Sequence, residues 1–256
     1  MCFLIAGFCV ESKRFVCGFN RDEYYARPWE KTCYHEYDNR ISGTDLKCGG
    51  TWLALNKSLD FFALTNVRTA NENKVVNAKV SRGHLCEDFF SSKIGADNWI
   101  DRIIKQDDPN YYNLIIGNIK NKSIFYVSKS GFKSYVKRVE FPVCISNEKL
   151  GEKWGKTDRG LNLYSKLNWG VNEKLHEEIS SLLRDDQRSE LLPDTGYSNE
   201  IENYLSSIFL SSHTFGTVSS TSIIVDLSKN EVDINEVGYE QFGKCRFQER
   251  MQVSFG

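Results

Sequence analysis

Residues 1–23 read MCFLIAGFCVESKRFVCGFNRDE, and this stretch decides the fold. Cys2 to Val10 is a continuous apolar run of strand length, Glu11-Ser12-Lys13-Arg14 is a polar turn, and Phe15 to Phe19 is a second strand. Two such runs joined by a short polar turn predict an antiparallel hairpin. Its pairing lays the charged cluster Asn20-Arg21-Asp22-Glu23, at the outer end of the second strand, beside Cys2 at the start of the first. The apolar run is too short to span a bilayer, which takes about 20 residues, and it has neither a basic leader nor a small-residue cleavage site.

Cys2 is the first candidate for chemistry. Initiator methionine is expected to leave when the second residue is small, which would put a thiol and a free α-amine on one residue. The amine has a reference pKa of about 7.7–8.0 and the thiol one of about 8.5, so the nucleophile would carry its own base. Within the cluster, the Arg21 fork can stabilise a thiolate or bind a carboxylate or phosphate. Asp22 can hold the α-amine by a charge-assisted hydrogen bond. Asn66 ends the apolar strand Phe61 to Asn66, and Ser146-Asn147 ends the run from Val143. Either side-chain amide can donate to a developing oxyanion, which makes Cys2, Arg21, Asp22, Asn66 and Asn147 the expected catalytic set.

Outward from the hairpin, Pro28, Gly43, Gly49 and Gly50 mark a loop-rich stretch, and Trp52 to Asn56 with Phe61 to Asn66 reads as a second hairpin. Helical spacing occurs over Lys79 to Lys93, Ala96 to Lys105, Lys156 to Leu167, Asn172 to Leu183 and Ser198 to Leu210. Further strands are predicted at Tyr112 to Ile119, Ile124 to Ser128, Val143 to Asn147, Ser219 to Leu227, Glu231 to Val237 and Arg246 to Phe255. Strand runs alternating with helix runs predict an α+β fold of two antiparallel sheets packed together, with helices on the outer faces. No linker divides the chain, so residues 1–256 are expected to form one domain.

Composition sets limits. The 256 residues include 33 Lys and Arg against 34 Asp and Glu, a formal net charge of -1, which favours neither nucleic acid nor an anionic membrane as partner. Eight cysteines occur without a CxxC pair or a CxxCH motif. Their irregular spacing in a long chain points to reduced thiols in the cytosol, and no metal-ligand spacing is present.

Met1-Cys2, Asn20-Arg21-Asp22-Glu23, Arg27-Pro28, Gly49-Gly50-Thr51-Trp52-Leu53 and Ala63-Leu64-Thr65-Asn66 form an ordered series. It continues through Ser81-Arg82-Gly83, Tyr112-Asn113-Leu114, Ser146-Asn147 with Trp154 and Lys156, and Gly216-Thr217. Taken together these resemble the transport and Golgi organization protein 2 family, also called the NRDE family. The resemblance implies a four-layer αββα sandwich of the N-terminal nucleophile (Ntn) hydrolase type. It also implies a distant similarity to choloylglycine and penicillin V acylases, whose layout Cys2, Arg21, Asp22, Asn66 and Asn147 match by position. The family's biology implies an intracellular haem-trafficking protein, with haem as cargo at Asn20, Arg21, Asp22 and Glu23, acting in the cytoplasm and in association with mitochondria. Cys2, Cys9, Cys17, His35, His84, His176 and His213 are the residues able to ligate iron, and no pair of them has diagnostic spacing. Two other readings stay open: an N-terminal-Cys amidohydrolase or thioesterase, and an acyl-CoA or lipid-binding protein using the same pocket with loose membrane contact. The family usually carries Arg where this chain has Val218; Arg68 or Arg82 would have to supply that charge.

Overall fold

The opening hairpin forms as expected, except that Arg14, expected in the turn, already belongs to the second strand opposite Cys9, which sets Cys2 opposite Arg21. The computed structural model describes residues 1–9, 11–68, 81–106, 111–130, 133–148, 152–170 and 172–255. In chain order the strands are β1 (Cys2–Cys9), β2 (Arg14–Tyr24), β3 (Trp29–His35), β4 (Arg40–Asp45), β5 (Leu53–Asn56) and β6 (Asp60–Asn66). Helices α1 (His84–Ser92) and α2 (Ala96–Ile104) follow, then β7 (Tyr111–Asn118), β8 (Ser123–Ser130), β9 (Lys133–Arg138) and β10 (Val143–Ile145). The rest comprises α3 (Gly155–Tyr164), α4 (Asn172–Leu183), α5 (Asn199–Tyr204), β11 (Phe215–Asp226), β12 (Glu231–Tyr239) and β13 (Cys245–Ser254).

The chain divides into two compact units, one of residues 1–26 with 140–256 and the other of residues 27–139. The first holds a six-stranded antiparallel sheet in the order β10-β1-β2-β11-β12-β13. Helix α4 lies on it because Leu175, Ile179, Leu182 and Leu183 recur at helical spacing and form one apolar stripe. That stripe packs with Phe3, Ile5, Val16 and Ile224 of the sheet and Tyr164 of α3, each such side chain contributing about 1.5–3 kcal/mol when fully buried. Helix α3 approaches β1 closely at Gly160, where an added Cβ would sit 2.6 Å from the Phe3 ring. Phe3, Ile5 and Val16 therefore face the helices. By the two-residue period of a strand, Cys2 and Leu4 face the opposite side.

The second unit holds a seven-stranded sheet in sequential order from β3 to β9. Helices α1 and α2 seat Phe89, Trp99, Ile100 and Ile103 against Phe62, Leu114, Ile116 and Val127 of this sheet.

Several predicted elements change. The stretch after Pro28 is not loop-rich: β3 and β4 run through it, paired antiparallel with a register shift between Glu30 and Cys33. Strand β9 escaped the apolar pattern because all six of its residues are exposed at the sheet edge. The helix expected over Ser198 to Leu210 stops at Tyr204, and Ile208 beyond it joins the core from a loop. Helix α1 starts at His84; Lys79 and Val80 of the expected helix, and Val10 of the first expected strand, lie outside the described residues.

Candidate active site

Met1 extends the β1–β2 ladder by one hydrogen-bonded pair, with Asp22 N donating to Met1 O at 2.7 Å and the Met1 amine donating to Asp22 O at 2.7 Å. Cys2 and Arg21 are next along and form the pair without mutual hydrogen bonds, the type with the closest Cα approach. Side chains directly opposite share a face, so the Cys2 thiol and the Arg21 guanidinium stand side by side, both buried. The backbone N–H and C=O of Cys2 then point away from β2, toward β10. There Ser146 Oγ donates to Cys2 O at 2.7 Å and lies 3.2 Å from Asn147 Oδ1. Asn147 is fully buried at this edge.

The other half of the motif turns to the helices. Asn20 Nδ2 donates to Leu183 O at 2.8 Å and Ile208 O at 3.0 Å, while Asn20 Oδ1 accepts from Ser220 Oγ at 2.6 Å. Both amide hydrogens are used and the oxygen accepts one bond, so Asn20 braces the strand that carries Arg21. Asp22 Oδ1 accepts from Thr217 Oγ1 at 2.8 Å, and the same hydroxyl accepts from Leu210 N at 3.0 Å. Glu23 Oε1 accepts from Tyr24 N at 2.9 Å.

Electrostatics separates these groups. Burial pushes the Cys2 thiol up; the Met1 ammonium opposes this, Asp22 adds to it, and Arg21 and the Asp22 N–H pull it back. The thiol is therefore protonated near neutral pH and needs a base to become a nucleophile. Burial likewise raises the Asp22 carboxyl, opposed by Lys156, the Met1 amine and the Thr217 hydroxyl. Glu148, whose Oε1 accepts from Ser146 N at 3.1 Å, is pushed by burial up to about 7 even though Lys156 counters the shift. Lys156, in the first turn of α3, is 1% exposed. It is a buried cation influencing both carboxyls, a role its place in the sequence series did not disclose.

Of the expected catalytic residues, Cys2, Arg21, Asp22 and Asn147 are thus in the first unit, around the end of β1. Asn66 ends β6 in the second unit, opposite Tyr112, with buried Arg68 following it and Arg82 donating to Tyr111 O at 2.9 Å.

Matched against family models, residues 1–241 fit Transport and Golgi organisation 2. The chain belongs to that family. Among curated relatives it is 28% identical over 233 residues to the Bos taurus transport and Golgi organization protein 2 homolog, covering 83% of this chain and 82% of that one. The Homo sapiens homolog is 24% identical over 230 residues with the same coverage. Among solved structures, a Caenorhabditis elegans N-acylethanolamine-hydrolyzing acid amidase ortholog superposes with a TM-score of 0.52 at 10% identity, covering 87% of this chain and 92% of that one. The expected Ntn hydrolase-like fold is borne out by that likeness. A Clostridium perfringens conjugated bile acid hydrolase mutant also aligns, at a TM-score of 0.47 and 11% identity over 99% of this chain and 92% of that one.

The residues considered as iron ligands are scattered. His176 is held between Ser222 and Asp233, His35 Nε2 lies 3.0 Å from Ser42 O, and His213 packs on Phe242. Among the described residues, no group of three or more His, Cys, Asp or Glu could hold a metal ion. None of their helices is long and apolar enough to cross a membrane. All eight cysteines are free thiols.

Proposed function

We propose that this chain is an N-terminal-cysteine acyl hydrolase, an amidase or thioesterase in which Cys2 is the nucleophile once Met1 has been removed. One observation carries the reading: a buried thiol with a raised pKa shares a strand pair with Arg21, on a residue whose own N–H faces the Ser146–Asn147 edge. Loss of Met1 would turn that N–H into an amine beside the thiol. It would also release the Asp22 N–H that Met1 O now occupies.

The steps follow from these groups. The α-amine takes the thiol proton as the sulfur attacks the acyl carbonyl carbon, giving a tetrahedral oxyanion. The C–N bond of an amide or the C–S bond of a thioester then breaks, and the ammonium returns the proton to the leaving amine or thiol. Water, deprotonated by the same amine, hydrolyses the acyl-Cys2 thioester to a carboxylic acid and restores the thiol. Asn147 and Ser146 orient the amine and carbonyl of Cys2. Arg21 supplies positive charge on the thiol's face, where it would meet a phosphate or carboxylate of the substrate. The Asp22–Thr217–Lys156 group holds β2 in register from the helix side.

The test is a panel of acyl amides and acyl thioesters offered to Met1-processed protein. Release of product is expected, with Cys2→Ala lowering the rate by at least about a thousandfold, as for removal of a nucleophile. Equal rates for the native chain and Cys2→Ala would refute the reading. The haem-cargo expectation rests on the family resemblance, and no feature of the site favours it over acyl chemistry.

A further inference from the structure

The sequence Thr217-Val218-Ser219-Ser220-Thr221-Ser222 places five hydroxyls in the buried part of β11. A buried hydroxyl without a partner is costly, so each partner matters. Thr217 donates to Asp22, Ser220 to Asn20, Thr221 Oγ1 lies 3.4 Å from Glu236 Oε1, and Ser222 is 2.7 Å from His176 Nδ1. Ser219 is 1% exposed, and its Oγ has no hydrogen-bond partner among the described residues.

The ladder shows where that hydroxyl stands. Thr217 pairs with Asp22 and Ser219 with Arg21, so the register shifts across Val218. Thr217 and Ser220 both bond to side chains on the helix face of β2, Asp22 and Asn20. In a bulge, two residues oppose one, and here Val218 and Ser219 together oppose Arg21. Both are therefore directed to the face that bears Cys2 and Arg21. Beyond Ser219 the row reaches Gly238, where an added Cβ would lie 2.2 Å from the Phe247 ring, so an aromatic side chain takes the place of one on β12.

We propose that the Val218–Ser219 bulge is a substrate-selecting element of the Cys2 site: Ser219 Oγ donates a hydrogen bond to the reacting carbonyl, and Val218 makes the adjoining wall apolar. The class of substrate that fits is a neutral acyl group joined as an amide or thioester, with the carbonyl oxygen toward Ser219 and the hydrocarbon against Val218 and Phe247. Arg21, opposite Ser219 on the same face, would meet a phosphate or carboxylate carried elsewhere on such a substrate, away from the reacting carbonyl. This inference rests on the acyl-hydrolase reading, and it accounts for a bulge and an unsatisfied hydroxyl that the strand itself does not require.

The experiment compares two reactions of the same thiol in Met1-processed protein, each located on Cys2 by mass spectrometry. Acylation by p-nitrophenyl octanoate passes through an oxyanion, whereas alkylation by iodoacetamide does not. Ser219→Ala is expected to slow acylation about tenfold or more, leave alkylation within about twofold and leave the melting temperature unchanged or higher, because no protein partner is lost. Ser219→Thr, which keeps the hydroxyl, should restore acylation. If Ser219→Ala leaves acylation unchanged, slows both reactions alike or destabilises the fold, the proposal is overturned. Such a result would leave the Cys2→Ala comparison intact, since that comparison reads the nucleophile and not the bulge.

Discussion

Two buried charged groups in the first unit look alike in composition and behave in opposite ways. One is Asp22, Glu148 and Lys156 at the end of β1. The other is His176, Asp233 and Arg250, with Ser222, between α4 and the strands β11 to β13. The second has the outline of a Ser-His-Asp arrangement: His176 Nδ1 is 2.7 Å from Ser222 Oγ and Nε2 is 3.2 Å from Asp233 Oδ1. Yet Ser222 is 1% exposed beneath α4. Asp233 is fully engaged, taking Arg250 Nε at 2.8 Å and the second guanidinium arm at 2.6 Å, with Gln252 Nε2 at 3.2 Å. Burial works against that carboxylate, but Arg250, His176 and Gln252 outweigh it and hold Asp233 well below the usual range. At the β1 end, burial wins and both carboxyls are raised. A low carboxylate marks a satisfied brace, whereas raised groups clustered with a buried thiol mark stored electrostatic cost of the kind functional sites carry.

The largest expected effect is at the brace. Asp233→Asn leaves Arg250 and His176 without their anion and should cost roughly 3 kcal/mol at pH 7 by urea denaturation, toward the low end for a broken buried pair because Arg250 reaches solvent. Since the Asp233 pKa is depressed, its contribution is present above the unfolded value of about 3.9. The gap between native and variant should therefore close as pH falls below 4, with the rate of Cys2 acylation unaffected throughout.

Glu148→Gln should have the opposite sign. A carboxyl raised from 4.5 to about 7 contributes stability that is fully present below its unfolded value and lost as pH rises through 7. At about 1.4 kcal/mol per unit, the amide variant should be more stable than the native chain by up to about 3 kcal/mol at pH 8 and equal to it near pH 4.5. A variant less stable at pH 8 would show Glu148 to be a satisfied group like Asp233. The smallest effect is expected for Ser222→Ala, about 1–2 kcal/mol for a buried hydroxyl that bonds His176 at 2.7 Å and Asn235 O at 3.4 Å, with no change in Cys2 chemistry. A loss of turnover there would erase the contrast between the two groups.

What the sequence discloses follows from the range of the interactions. The β1–β2 hairpin and the meeting of Cys2 with the Asn20–Glu23 cluster depend on local apolar pattern and a short turn, and are readable from residues 1–23; the register that selects Arg21 is not, because Arg14 joins β2 and not the turn. Helix α4 has the predicted bounds because its apolar stripe is continuous. Strands β3 and β9 lack that pattern, and α5 is cut short by Ile208 entering the core. The helix-face roles of Asn20 and Asp22 depend on pairing with β11, some 200 residues away. The buried state of Lys156 and Glu148 depends on how α3 meets β10. The bulge at Val218 was invisible, although a run of five hydroxyls inside a strand is a signal that each must find a partner.

Acyl chemistry at this site requires Cys2 to become an N-terminal nucleophile. The most direct test is the mass of the intact, denatured protein purified from cells, followed by localisation of the acyl group after brief exposure to an acyl thioester. A chain lacking Met1 is expected, with a single acyl group on Cys2 that disappears with time. A chain retaining Met1, or an acyl group spread over Cys48 and Cys245, the exposed thiols, would contradict it.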